Sequence, residues 1–264
     1  MSRRKRRQKQ RNMLGLGLVV AGLLALTAFA TAGVFLRPPP LDAETLCRTD
    51  EPLQTHTIVL VDATDKFERR HRDRLRDVLA QERARLGRYE RLTLLHIDAR
   101  RPREPRVLFS KCLPKPPEQA NIFFENPQQI AAQWNEDFAD ALERALRSAS
   151  ARRVQDASPI LTSVRAAASR ADFGAAVQHR RLVVVSNFLE HQIDGFSLYV
   201  DDASFDVWRQ EGASGIADLS GVEVRLSPLD RPDFEILQGN ALESFWPEYL
   251  DAAHARTVDI DARF

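Results

Sequence analysis

Only two cysteines occur in the 264 residues, and none of the six histidines pairs with another in an HExxH setting. Cys47 and Cys112 each lack a second Cys or His at ligand spacing, so compact zinc motifs are excluded. Gly-x-Ser-x-Gly is absent, as is any glycine loop able to cradle a phosphate, which removes serine hydrolases of the nucleophile-elbow type and P-loop nucleotide enzymes. No internal repeat or low-complexity tract is present. A surplus of charge is missing too: the chain carries +1 overall, from 38 Lys and Arg against 37 Asp and Glu. Seven of the basic residues fall in the first eleven positions, so 31 bases face 37 acids in the remainder, a net of −6. A mildly acidic body of that kind is no binder of nucleic acid or other polyanions.

What the chain does have is one unbroken apolar run, residues 13–36, behind the basic leader of residues 1–12. Those 24 residues carry no charge, and at about 1.5 Å rise per residue a helix of that length spans the ~30 Å hydrocarbon core. Arg3, Arg4, Lys5, Arg6, Arg7, Lys9 and Arg11 precede it with no acid among them, whereas Asp42 and Glu44 follow. The positive-inside bias therefore predicts a single-pass anchor with a cytoplasmic N-terminus and an exported body. A cleaved signal peptide is the rival reading, since Ala30-Thr31-Ala32 has small residues of the right kind; the run is longer than an ordinary signal core. The short leader, single anchor and compact body point to a bacterial inner membrane, with the body in the periplasm.

Residues 37–54, with three consecutive prolines, read as a stiff stalk, and residues 55–264 as one α/β domain. Both cysteines lie on the exported side, where a Cys47–Cys112 disulfide can persist; two separate thiols is the other reading. Strand-length apolar runs are predicted at 57–62, 92–97, 106–110, 181–186 and 222–226, the first and fourth apolar enough to be covered on both faces. Helices are predicted at 67–86, 127–149, 158–169 and 241–253, the last closing the fold. Ser158-Pro159 reads as an N-cap followed by proline in the first turn. The alternation gives an α/β class with a doubly wound, mostly parallel central sheet and helices on both faces.

Three junctions carry chemistry. Asp62-Ala63-Thr64-Asp65-Lys66 follows the first strand, Ser158-Pro159 opens a helix, and Ser186-Asn187-Phe188 follows the strand at 181–186. In order and placement, over about residues 55–255, these resemble the von Willebrand factor A domain. That family has Asp-x-Ser-x-Ser, a Thr-Pro-like turn and Ser-Asp-Gly at the corresponding junctions. The resemblance implies a ligand crevice at the carboxyl end of the sheet, where Asp62, Thr64, Ser158 and Asn187, with Asp65 as a further candidate, would hold a weak Mg²⁺ or Mn²⁺. Lys66 and Asn187 depart from the family pattern, and a hard dication wants oxygen and negative charge. Two readings follow: Lys66 points away and leaves an impoverished oxygen site, or its ammonium pairs with Asp62 in place of the ion. Without a resident cofactor the expectation is a protein-binding module, a subunit or scaffold of an envelope assembly; with the ion bound the alternative is a metal-dependent adhesion module that captures a partner carboxylate, and self-association is also open.

Enzyme readings fare worse. Residues 61–67 also look like the opening motif of isochorismatase-type hydrolases, but no cysteine follows Cys112 to act as nucleophile. A haloacid dehalogenase-type phosphotransferase needs a second Asp where Thr64 stands. A periplasmic hydrolase using Asp62 lacks any companion acid or base, and Glu190-His191 reads as a solvated loop pair.

Overall fold

A computed structural model describes residues 3–35, 39–120, 125–151, 154–200, 202–210 and 215–261. The first helix, α1 (Arg3–Phe35), contains a 19-residue span, Met13–Thr31, that is long and apolar enough to cross a membrane and buries none of its surface against the rest of the chain. Residues 36–38, where the predicted anchor ends and the predicted stalk begins, lie outside the described residues.

A six-stranded sheet follows, in the order β3-β2-β1-β4-β5-β6. Its strands are β1 (Thr55–Val61), β2 (Arg91–His96), β3 (Arg106–Cys112), β4 (His179–Ser186), β5 (Val222–Pro228) and β6 (Thr257–Ile260). Every pairing is parallel except β2 with β3, a hairpin with a bulge between Leu94 and Leu95. Parallel neighbours need crossovers, and helices supply them: α2 (Arg69–Arg85), α3 (Pro127–Ala132), α4 (Asp140–Ser150), α5 (Ile160–Ala168), α6 (Phe205–Gln210), α7 (Glu235–Asn240) and α8 (Trp246–Ala252). The chain winds outward from β1 in both directions. This is the doubly wound, mostly parallel α/β architecture expected from the sequence.

The period of two along a strand divides the core. In β1 and β4, Val59, Val61, Val183 and Val185 face a layer built from α2 and α4 (Leu75, Val78, Leu79, Leu142, Leu146). Ile58, Leu60, Leu182 and Val184 face the other, built from α5, α6 and α8 (Leu161, Val164, Trp208, Trp246, Tyr249). Both central strands are thus covered on two sides, as their continuous apolar runs require.

Four expectations need correction. The fold does not close on the helix at 241–253, because β6 follows it; this four-residue strand is exposed throughout and carries no apolar run to announce it. The helices predicted at 127–149 and 241–253 form within longer runs that each include a wide, π-type turn, at Gln133–Ala139 and Ala241–Phe245. Most of the stalk is not free: Leu41 bridges Arg48, the Cys112 amide donates to the Thr45 carbonyl at 2.7 Å, and Leu46 is buried in the α2–α4 layer. Finally, Ser158 does not cap α5, since its hydroxyl is engaged elsewhere.

Candidate functional site

Open α/β sheets place ligands beyond the carboxyl ends of their strands, where neighbouring crossovers diverge. Here that point lies between β1 and β4, whose ends are tied by the Asp62 amide donating to the Val185 carbonyl at 2.9 Å. Asp62, the residue after β1, is buried with its carboxylate fully engaged. Oδ1 accepts from the Thr64 hydroxyl at 2.6 Å and the Thr64 amide at 3.1 Å; Oδ2 accepts from the hydroxyls of Ser158 at 2.8 Å and Ser186 at 2.7 Å. Three loops spread over 124 residues of sequence therefore meet on one carboxylate, as the resemblance implied. Ser186, the last residue of β4, was in the quoted motif but not in the implied ligand set.

Asn187 joins the cluster through the other carboxylate. Its Nδ2 donates to Asp65 Oδ2 at 2.6 Å, while its Oδ1 accepts from the Leu189 amide at 2.9 Å. The Tyr199 hydroxyl donates to the same Asp65 oxygen at 3.4 Å. Opposite stands Arg231, from the loop after β5, with Nη2 2.6 Å from Asp65 Oδ2. Half-burial lowers the pKa of the Arg231 guanidinium, and the carboxylates of Asp62 and Asp233 work against that fall. Among the described residues, Lys66 does not pair with Asp62: its side chain is 79% exposed and lies 3.9 Å from Glu68.

Two buried side chains that sequence reading missed hold these loops. Gln238 in α7 donates to the carbonyls of Asn187 and Leu229, both at 2.9 Å, and accepts from the Arg231 amide at 3.3 Å. Glu190, expected in a solvated loop, is fully buried: it accepts from the Leu161 amide at 2.9 Å and from Gln192 Nε2 at 2.8 Å, and so caps α5 from a distant loop. Burial pushes the Glu190 carboxyl up to about 7, against the hydrogen bonds that lower it. His191 bridges Ser158 and Ser197 along the backbone, with Nδ1 3.1 Å from the Ser197 hydroxyl.

This set does not fit a hard dication. Its two carboxylates share their cluster with a guanidinium, Asn187 turns an N–H rather than an oxygen toward Asp65, and the space left between Asp62, Asp65, Asn187 and Arg231 is about 10 Å³. That is room for about one water. Among the described residues, no group of three or more His, Cys, Asp or Glu could hold a metal ion.

No protein-family model matches the chain, and no curated sequence does. Solved structures with a similar fold include the conserved hypothetical protein BatB from Bacteroides thetaiotaomicron, at 8% identity and a TM-score of 0.37, covering 68% of each chain. An aerotolerance-related membrane protein from Bacteroides fragilis matches at 9% identity and a TM-score of 0.36, over 68% of this chain and 69% of its own. At those identities and scores neither neighbour bears on the chemistry of this crevice. The segments that follow β4 and β5 expose large apolar side chains: Ile193 (63%) and Val200 (52%) after β4, and Phe234 (40%) and Ile236 (79%) at the start of α7. Phe234 packs edge-on against Tyr199 at 5.0 Å, which connects this apolar surface directly to the Asp65 cluster.

Proposed function

We propose that the chain is a membrane-anchored, von Willebrand factor A-like binding module, a subunit or scaffold of a bacterial envelope assembly, that presents the carboxyl end of its sheet to another protein. The observation that carries this reading is the pairing at that end of a rigid, fully bonded polar cluster with exposed Ile193, Phe234 and Ile236. Scattered apolar residues need no explanation, but four on the segments that follow β4 and β5 suit a protein contact. Asp62 has spent its acceptors on internal donors, which suits a structural post better than a base or nucleophile. The helix at Met13–Thr31 would hold the module at the inner membrane with its leader in the cytoplasm and its sheet in the periplasm. The Cys47–Cys112 disulfide suits that oxidising side.

A photo-crosslinking residue placed at Ile193 or Ile236 in the full chain, in its native host, tests this. One discrete adduct with a second envelope protein is expected from those positions, and none from exposed Arg88 at the amino end of the sheet. Adducts of equal yield at all three positions, no adduct from either crevice position, or an adduct only between two copies of the chain would each overturn the reading.

A further inference from the structure

We infer that Arg231 is the resident cation of the crevice, its guanidinium standing where an ion would otherwise be needed and holding the loop after β5 to the loop after β1. The sequence offered Lys66 for that role, but Lys66 faces solvent and Arg231 arrives from 165 positions further along the chain.

Geometry supports the assignment at three points. Asp65 Oδ2 receives both the Arg231 guanidinium and the Asn187 amide at 2.6 Å, so the oxygen that could have turned toward an ion is already committed. Gln238 holds Arg231 by its backbone and Leu229 by its carbonyl, which fixes the loop before the side chain extends. The guanidinium also lines the remaining space of about 10 Å³, so a hydrated dication could enter only by displacing it. Arg suits the place because it stays charged when half-buried and meets a carboxylate with a planar fork of donors, which an ammonium cannot reproduce. The consequence is a crevice whose shape does not depend on divalent ions, so its contacts should survive chelation. This deepens the proposed binding role, yet the test reads ion binding by the chain alone, and either reading can fail without the other.

The experiment uses the full chain in detergent micelles, stripped with EDTA, with Mn²⁺ as the probe in calorimetric and thermal-shift titrations. No binding is expected for the unmodified protein. In Arg231→Ala, Asp65 loses its guanidinium partner while keeping the Asn187 and Tyr199 donors, and the oxygens of Asp62, Asp65, Thr64, Ser158 and Ser186 border a larger space; Mn²⁺ should then bind and, at ten times its dissociation constant, raise the melting temperature by about 4 °C. Adding Asp65→Asn should abolish the gain. Arg231→Met, which keeps the volume of the side chain without its charge, is read in the same way if the alanine variant fails to fold. Mn²⁺ binding to the unmodified protein as tight as to the variant, a folded Arg231 variant that takes up none, or a gain produced by Lys66→Ala would each overturn the assignment.

Discussion

Phe188 stands where the family motif has glycine, and its backbone occupies the left-handed region with φ of +62°. For a bulky side chain that conformation costs ~1–2 kcal/mol. The cost is tolerated because the ring is fully buried, packs edge-on against Trp246 at 5.4 Å, and the Trp246 Nε1 donates to the Phe188 carbonyl at 2.9 Å. Removing the ring should therefore destabilise the protein by ~3–5 kcal/mol, but the usual order of small residues should invert. Phe188→Gly is expected to be about 1 kcal/mol more stable than Phe188→Ala, because glycine sheds the backbone strain that alanine keeps. Urea denaturation of the two variants checks this; alanine as the more stable one would show that the strain is not there. The same loop shows how far side-chain roles could be read from sequence. Asp62, Thr64, Ser158 and Asn187 all arrive at the crevice because each sits at a strand end or helix start, which periodicity locates. Arg231 and Gln238 escaped notice, and the burial of Glu190 was not foreseen, because what matters about them is a contact with a distant loop, and nothing in their own neighbourhoods encodes it.

Among the elements, β1 and β4 were plain because strands covered on both faces must be apolar at every position, and their sequences are. β6 was not, since Thr257-Val258-Asp259-Ile260 alternates weakly on an exposed edge. The helix predicted at 241–253 gained its wide turn for a reason visible only in hindsight: Pro247 lacks an amide and crowds the carbonyl four residues earlier, and a π-type turn just before it makes room. Residues 41–48 dock on the domain, which three prolines, suggesting only stiffness, do not reveal, but which the Cys47–Cys112 pairing offered from the sequence does. The docking is covalent. Cys47 is bonded to Cys112 at the end of β3, a separation of 65 residues, and the chain-entropy model gives about 4 kcal/mol for closing such a loop. Cys47→Ser with Cys112→Ser should lower the unfolding free energy by about that amount. It should also make residues 41–48 an early site of limited proteolysis, since Leu46 and the Thr45–Cys112 hydrogen bond would then hold the segment alone. Equal stability and equal protease resistance with and without the disulfide would mean that the segment is held by its packing.

Two buried titratable groups at opposite ends of the sheet set how the protein as a unit responds to pH. His56, near the start of β1, has Nδ1 2.9 Å from the Asp172 carbonyl and Nε2 2.7 Å from the Thr93 hydroxyl, and burial lowers its pKa from 6.5 to about 4. An imidazole kept neutral in this way contributes stability that is present above pH 6.5 and is lost as pH falls toward 4. Glu190, beyond the end of β4, is the mirror case: its pKa rises from 4.5 to about 7, so its contribution is greatest below pH 4.5 and is lost as pH climbs through 7. Between pH 4.5 and 6.5 the slopes are opposite in sign, each about 1.4 kcal/mol per pH unit, so in the unmodified protein they offset each other. The two sites share no hydrogen-bond partner among the described residues, so their effects should add. Glu190→Gln keeps an acceptor for the α5 amide and removes one slope; relative to the unmodified protein it should lose about 2 kcal/mol on acidification across that window. His56→Gln should show the reverse, losing about the same amount as pH rises across it. Denaturant unfolding of the full chain at a series of pH values measures both differences directly. If each variant instead runs parallel to the unmodified protein, neither buried group governs the profile.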